Sequence, residues 1–294
     1  MRTFQQVGPL RTYLRTIRTE GKTIGFVPTM GALHEGHLTL ARRAKGDCDI
    51  VVMSVFVNPM QFGPAEDYGA YPRDLNRDLG LASQAGVDAL FSPEQEEIYM
   101  PGYDTVVDVP HIGAVLEGAS RPGHFRGVAT VVTKLLNIVQ PDNAYFGQKD
   151  YQQLVVIERL VRDLHLTAKI MLVPTVREPD GLALSSRNIY LSAEERKAAV
   201  IISQCLQVAQ ARVTAGETNP AVLRQELETM LAGEPLAAVD YIAIANPDNL
   251  EPIGSLEGVT LVALAVCFGK TRLIDNALIA PEGVVIPKNR LGRG

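Results

Sequence analysis

The segment Asp49-Ile50-Val51-Val52-Met53-Ser54-Val55-Phe56-Val57 is an almost unbroken apolar run rich in β-branched side chains. A strand with one wet face alternates apolar and polar residues. One that is apolar nearly throughout is covered on both faces, as inside a parallel sheet. The run ends at Asn58-Pro59, where the proline ring and its missing N–H forbid simple continuation of the ladder. Shorter apolar runs at 24–27, 87–91, 143–146 and 169–173 are separated by stretches with helical spacing. This alternation predicts an α/β protein with a doubly wound, Rossmann-like, mostly parallel sheet.

Along the rest of the chain, Leu10, Leu14 and Ile17 predict an opening helix over 3–20. A further helix is expected over 74–85, a strand over 105–109, and a Gly-rich loop over 116–127 leading into a helix that reaches about 139. Leu154, Ile157, Leu160 and Val161 mark another helix. After Pro174 the pattern changes. Residues 175–190 are polar and irregular, and Ser192-Ala193-Glu194-Glu195 forms a capping box expected to open one long helix to about 215. A helix after Asn219-Pro220 and strand-like runs at 237–245, 259–267 and 272–279 complete a smaller C-terminal α+β domain. The expected division is into a larger domain over 1–175 and a smaller one over 176–294. The tail over 287–291 reads as loose.

The chain has 294 residues, 46% of them hydrophobic and 21% charged, with a net charge of −5. That balance is globular, and the acidic sum argues against a nucleic-acid partner. Cys48, Cys205 and Cys267 are far apart and lack metal spacing, which points to reduced thiols and a cytoplasmic location. The N-terminus has no apolar signal core, and the longest apolar run is about half of what a membrane span needs.

The chemistry centres on Pro28-Thr29-Met30-Gly31-Ala32-Leu33-His34-Glu35-Gly36-His37, which follows a strand and opens a helix. A helix N-terminus presents unpaired N–H groups and suits phosphate, and two imidazoles add donors there. The histidines are three apart and interrupted by Gly36, whereas a zinc-protease helix spaces them four apart. Gly147-Gln148-Lys149-Asp150 ends a strand, so Lys149 is expected on the same rim as the histidines, Asn58 and Gln61. Taken locally, Lys149 and Asp150 also read as a solvated cation and a helix cap, and Ser185-Ser186-Arg187 as plain turn residues. No Walker loop and no G-x-G-x-x-G follows the first strand. A ligase, a nucleotidyltransferase that stops at an activated product, and a non-enzymatic ATP sensor all remain open from these features.

The order of a histidine pair, a distant lysine and Ser-Ser-Arg resembles the nucleotidyl-transferring α/β superfamily. Within it the chain resembles the pantoate–β-alanine ligase (pantothenate synthetase) family. The motifs that carry the likeness are residues 28–37, 55–62, Tyr71-Pro72-Arg73, 145–153 and 173–178 with Ser185-Ser186-Arg187-Asn188. The resemblance implies condensation of pantoate with β-alanine through a pantoyl adenylate, with release of pyrophosphate and AMP, Mg²⁺ as cofactor and a homodimer. It implies His37 as catalytic acid, with His34, Lys149, Ser185, Ser186 and Arg187 stabilising charge on the phosphates. Met30, Gly31, Ala32, Leu33, His34, Glu35, Gly36 and His37 would line the ATP site, with Gly147, Gln148, Lys149, Asp150, Val176 and Leu184 to Arg187 completing it. Gln61 and Gln153 would hold pantoate, Asp78 would lie near the metal and phosphates, and the loop around Glu117 and Arg121 would cover the site. Gln148 stands where many members carry Glu, Leu184 where Met is common, and Leu81 where some are polar.

Overall fold

The structure, a computed structural model, describes residues 1–63 and 68–285; the tail over 287–291 lies outside them. The chain divides into two compact units. Among the described residues the first comprises Met1–Gly147 and Gln152–Val173, and the second comprises Gln148–Tyr151 and 174–285.

In the first unit the elements run β1 (Arg2–Phe4), α1 (Val7–Thr19), β2 (Ile24–Thr29), α2 (Glu35–Asp47), β3 (Ile50–Val55), α3 (Leu75–Gln84), β4 (Ala89–Phe91), α4 (Gln95–Ile98), α5 (Glu117–Ser120), α6 (His124–Val139), β5 (Asn143–Gly147), α7 (Tyr151–Asp163, whose first residue groups with the second unit) and β6 (Lys169–Val173). The six strands form one sheet in the order β1-β4-β3-β2-β5-β6, and every pairing is parallel. The alternation of apolar runs with helices thus closes into the doubly wound sheet that it predicts. On one face Leu38, Leu40, Ala41 and Ala44 of α2 pack against Val27, Val51, Met53 and Tyr145. Successive strand residues point to opposite faces, so Phe26 and Val52, also fully buried, belong to the face where α1 and α6 pack. Because the strands are parallel, Thr29, Val55 and Gly147 end on one rim, where open α/β sheets bind ligands.

Three expectations need correction. The first helix does not reach residue 3, because Arg2–Phe4 forms an edge strand on β4 and the helix begins at Val7. Residues 105–109 are not a strand: Val107 exchanges both of its backbone hydrogen bonds with the Thr130 hydroxyl on α6, not with a neighbouring strand. The Gly-rich stretch is not all loop, since α5 lies within it and α6 begins at His124.

The second unit contains α8 (Ala193–Ala198), α9 (Ile201–Thr214), α10 (Pro220–Ala232), β7 (Ala237–Ala245), β8 (Thr260–Phe268), β9 (Thr271–Ala280) and β10 (Gly283–Val284). Its strands form an antiparallel sheet in the order β10-β9-β8-β7. Ile202, Leu206 and Val213 of α9 and Leu223, Leu227 and Leu231 of α10 pack with Ile242, Ile244, Val262 and Leu264. The Ser192–Glu195 capping box is present, with both reciprocal hydrogen bonds. The helix it opens is not continuous to 215. It breaks after Ala198, where Val200 and Ile202 donate to carbonyls three residues back, a tighter turn than the α-helix. Among the described residues no helix is long and apolar enough to cross a membrane.

Candidate active site

The turn after β2 places two consecutive residues in left-handed backbone, Gly31 at φ +84° and Ala32 at φ 50°. Glycine takes that region freely, and alanine does so under strain. Glycine is also required for space: a Cβ on Gly31 would lie 2.9 Å from both Asp78 Oδ2 and Val55 Cγ1. The turn is held from outside by Asp78 on α3, which accepts the N–H groups of Ala32 at 2.9 Å and Leu33 at 2.8 Å. Thr29 Oγ1 accepts from Gly31 N–H at 3.1 Å and donates to the Ser54 carbonyl at 2.7 Å. Burial pushes the Asp78 carboxyl above its usual range, against the pull of the Leu33 and Ala32 N–H groups.

This turn delivers His34 as the N-cap of α2. His34 Nδ1 accepts the Gly36 N–H at 3.1 Å, His37 Nδ1 faces the His34 N–H at 3.4 Å, and the ring centroids are 4.1 Å apart. A ring nitrogen that accepts a backbone N–H carries no proton, so each neutral ring is protonated on Nε2. The pair therefore presents two Nε2–H donors at a helix N-terminus, where the peptide dipoles also favour negative charge. Gly36 makes room for the first ring, since a Cβ there would lie 2.8 Å from His34 Cε1. Glu35 is exposed and pairs along the helix with Arg42.

Beyond β3 the chain turns through a single 3-10 turn, Pro59–Gln61. Gln61 is 8% exposed, and its Nε2 lies 3.0 Å from Met30 Sδ, so the structure brings Gln61 onto the histidine-bearing turn. Gln153 is half-buried on α7. Its neighbour Gln152 staples the Gly-rich loop: it accepts from Glu117 N–H at 3.0 Å and donates to the carbonyls of Ile112 and Val115 at 2.8 and 2.7 Å.

In the second unit, Gln148–Asp150 forms a 3-10 turn directly after Gly147. Asn276 on β9 donates from Nδ2 to the carbonyls of both Gln148 and Lys149, at 2.9 Å each. Lys149 Nζ lies 3.7 Å from Asp150 Oδ1. The neighbouring Asp275, 3% exposed, forms a two-pronged ion pair with Arg177. Burial pushes the Asp275 carboxyl up, and the Arg177 guanidinium opposes it. Arg177 also donates to the Gly181 carbonyl at 3.0 Å, and Leu184 N–H donates to the Val176 carbonyl at 2.9 Å, so residues 176–184 form a pinned hairpin. Ser185, Ser186 and Arg187 follow it at once, with Ser185 Oγ accepting the Arg187 N–H at 3.2 Å.

The residues to which sequence reasoning gave no role are supports: Gln152, Asp275 and Asn276. Only the last two carry a local signal, as adjacent polar residues in the middle of the apolar run 271–280.

Comparison with known proteins identifies the family. The sequence profile of the Pantoate-beta-alanine ligase family matches residues 2–278. Pantothenate synthetase of Pelotomaculum thermopropionicum is 56% identical over 273 residues, 93% of this chain and 97% of that protein. The crystal structure of pantothenate synthetase from Thermus thermophilus is similar with a TM-score of 0.91 and 48% identity, over 96% of this chain and 100% of that one. Pantoate-beta-alanine ligase from Francisella tularensis, complexed with beta-gamma ATP and beta-alanine, is similar with a TM-score of 0.78 and 37% identity, over 95% and 97% of the two chains. A profile match over almost the whole chain, joined to more than half identity and a shared fold, shows that this chain belongs to the pantoate–β-alanine ligase family.

Proposed function

We propose that this chain, an ATP-dependent ligase forming pantothenate, works in two steps. A carboxylate oxygen of pantoate attacks the α-phosphorus of ATP, the bond to the β-phosphate breaks, and pyrophosphate leaves with the electron pair. The amine of β-alanine then attacks the acyl carbon of pantoyl adenylate, the bond to AMP breaks with its electron pair going to the AMP phosphate, and the surplus amine proton passes to water. No covalent enzyme nucleophile is needed. Catalysis consists of positioning and of donors aimed at charge as it develops.

The observation that carries this reading is the His34–His37 pair at the head of α2, where His34 Nδ1 accepts the Gly36 N–H and His37 Nδ1 faces the His34 N–H. His37 serves as the acid when its ring carries a second proton, and His34, Lys149, Ser185, Ser186 and Arg187 supply further donors to the phosphates. Gln61 and Gln153 hold the acid substrate through their amides. Asp78 fits the role of turn clamp, because each of its oxygens accepts a backbone N–H. Among the described residues no three His, Cys, Asp or Glu side chains group as a metal site. In this reading Mg²⁺ arrives on the triphosphate as part of the nucleotide, with phosphate oxygens and water as its main ligands.

We also propose a homodimer, on the family resemblance, and a cytoplasmic location, on three cysteines that form no disulfide. Sedimentation tests the first. Product analysis tests the reaction: AMP and pantothenate must form together only when ATP, pantoate and β-alanine are all present. ATP turnover to ADP, or AMP release that ignores pantoate, would overturn it.

A further inference from the structure

Gln61 is held at both ends by residues that do not belong to the proposed substrate contacts. At its side chain, Asn58 donates from Nδ2 to Gln61 Oε1 at 3.1 Å and to the Gly127 carbonyl at 3.1 Å. Asn58 Oδ1 accepts from Met60 N–H at 3.3 Å and from the Tyr99 hydroxyl at 2.8 Å. The orientation of the Asn58 amide follows from its backbone partners. Reversing it would set NH₂ against the Met60 N–H and oxygen against the Gly127 carbonyl, two like pairs at once. Asn58 therefore presents a donor to Gln61, which must answer with its oxygen.

That leaves the Gln61 NH₂ turned toward Met30 Sδ. A thioether is a weak acceptor. Among the described residues it is the only partner shown for this nearly buried donor. A buried amide NH₂ so poorly satisfied in the protein is matched to an acceptor brought by a ligand. The main chain is fixed as well. His124 donates from Nδ1 to the Gln61 carbonyl at 2.8 Å, and its Nε2 faces Arg121 Nη1 at 3.2 Å. Helix α6 approaches so closely here that a Cβ on Gly127 would lie 2.3 Å from the Met60 carbonyl oxygen.

We propose that Tyr99 is a positioning residue for the acid substrate: its hydroxyl adds a second hydrogen bond to Asn58 Oδ1 and steadies the amide whose Nδ2 holds Gln61 with NH₂ toward the ligand, where it selects a carboxylate or hydroxyl oxygen. This rests on the reading that Gln61 binds pantoate. Burial raises the Tyr99 phenol well above its usual range, so it remains a proton donor at any working pH. Phe56 and Tyr103 pack beside the Tyr99 ring, which keeps the hydroxyl aimed at Asn58.

The test is a double-mutant cycle on the purified full chain, with pantoate KM, ATP KM and kcat measured for wild type, Tyr99→Phe, Gln61→Ala and the double variant. Tyr99→Phe deletes one hydroxyl and retains the ring. It is expected to raise pantoate KM roughly three- to tenfold, the range for one neutral hydrogen bond, with ATP KM and the thermal midpoint nearly unchanged. In the Gln61→Ala background the same substitution is expected to have no further effect on pantoate KM, since its target is gone. An equal effect in both backgrounds, or none in either, would overturn the relay. If Gln61→Ala itself leaves pantoate KM unchanged, the underlying substrate assignment fails and the relay fails with it. If Gln61→Ala raises KM and Tyr99→Phe does not, the relay alone fails.

Discussion

Asn276, in the middle of β9, holds Lys149 by its main chain: one amide nitrogen donates to the carbonyls of Gln148 and Lys149, 2.9 Å from each. The residues are more than a hundred positions apart, and the contact fixes where the lysine side chain starts. Asn276→Ala is expected to lower kcat for adenylate formation by about tenfold, consistent with losing two hydrogen bonds of about 1 kcal/mol each in part at the transition state. Asn276→Asp should be worse than Ala, because a carboxylate would face two carbonyl oxygens. Single-turnover measurement of pyrophosphate release separates the variants. Equal rates in all three proteins would remove Asn276 from this role.

The two glycines of the histidine turn should fail differently. Gly31→Ala puts a Cβ on a residue at φ +84° and 2.9 Å from Val55 Cγ1, a strained backbone with no space. It is expected to destabilise the fold by about 1–3 kcal/mol. Gly36→Ala lies inside α2, where alanine favours the helix, yet its Cβ would displace the His34 ring from its cap. That variant should melt close to wild type while its adenylation rate falls. Calorimetry beside a rate assay distinguishes the outcomes, and a matched loss of stability and activity in both would count against this distinction.

Asp78 gives a prediction in pH. Its folded carboxyl titrates above the unfolded value, so the folded state takes up a proton more readily. The associated stability is fully present below about pH 4 and is lost as pH rises through the raised value. Asp78→Asn removes this titration and also turns an NH₂ toward the Ala32 or Leu33 N–H, at a cost of about 1–3 kcal/mol. The gap in thermal midpoint between wild type and variant should therefore be widest at the acidic end and narrow as pH rises. A gap that widens with pH would mean that the amide hydrogen bonds outweigh burial.

Legibility in the sequence follows the range of the interactions. β3 could be read because burial on both faces leaves a continuous apolar run, and the Ser192–Glu195 cap because its partners are three residues apart. The histidine turn was equally local. β1 was missed because two exposed residues and one half-buried residue on a sheet edge have no pattern of their own. Residues 105–109 looked like a strand because their composition suits one, yet strand formation requires a neighbour, and Thr130 took the hydrogen bonds instead. The supports of the candidate site are all tertiary. Tyr99 meets Asn58, and Asn276 meets Lys149, only after the chain has folded.

The most direct measurement is isotope exchange between pyrophosphate and ATP without β-alanine. Adenylate formation is then the only chemistry available. Label should enter ATP only when pantoate is present. His37→Ala and Lys149→Ala should each slow the exchange by roughly 10²-fold or more while the protein stays folded. ATP binding with no pantoate-dependent exchange, or near-normal exchange in both variants, would contradict the mechanism.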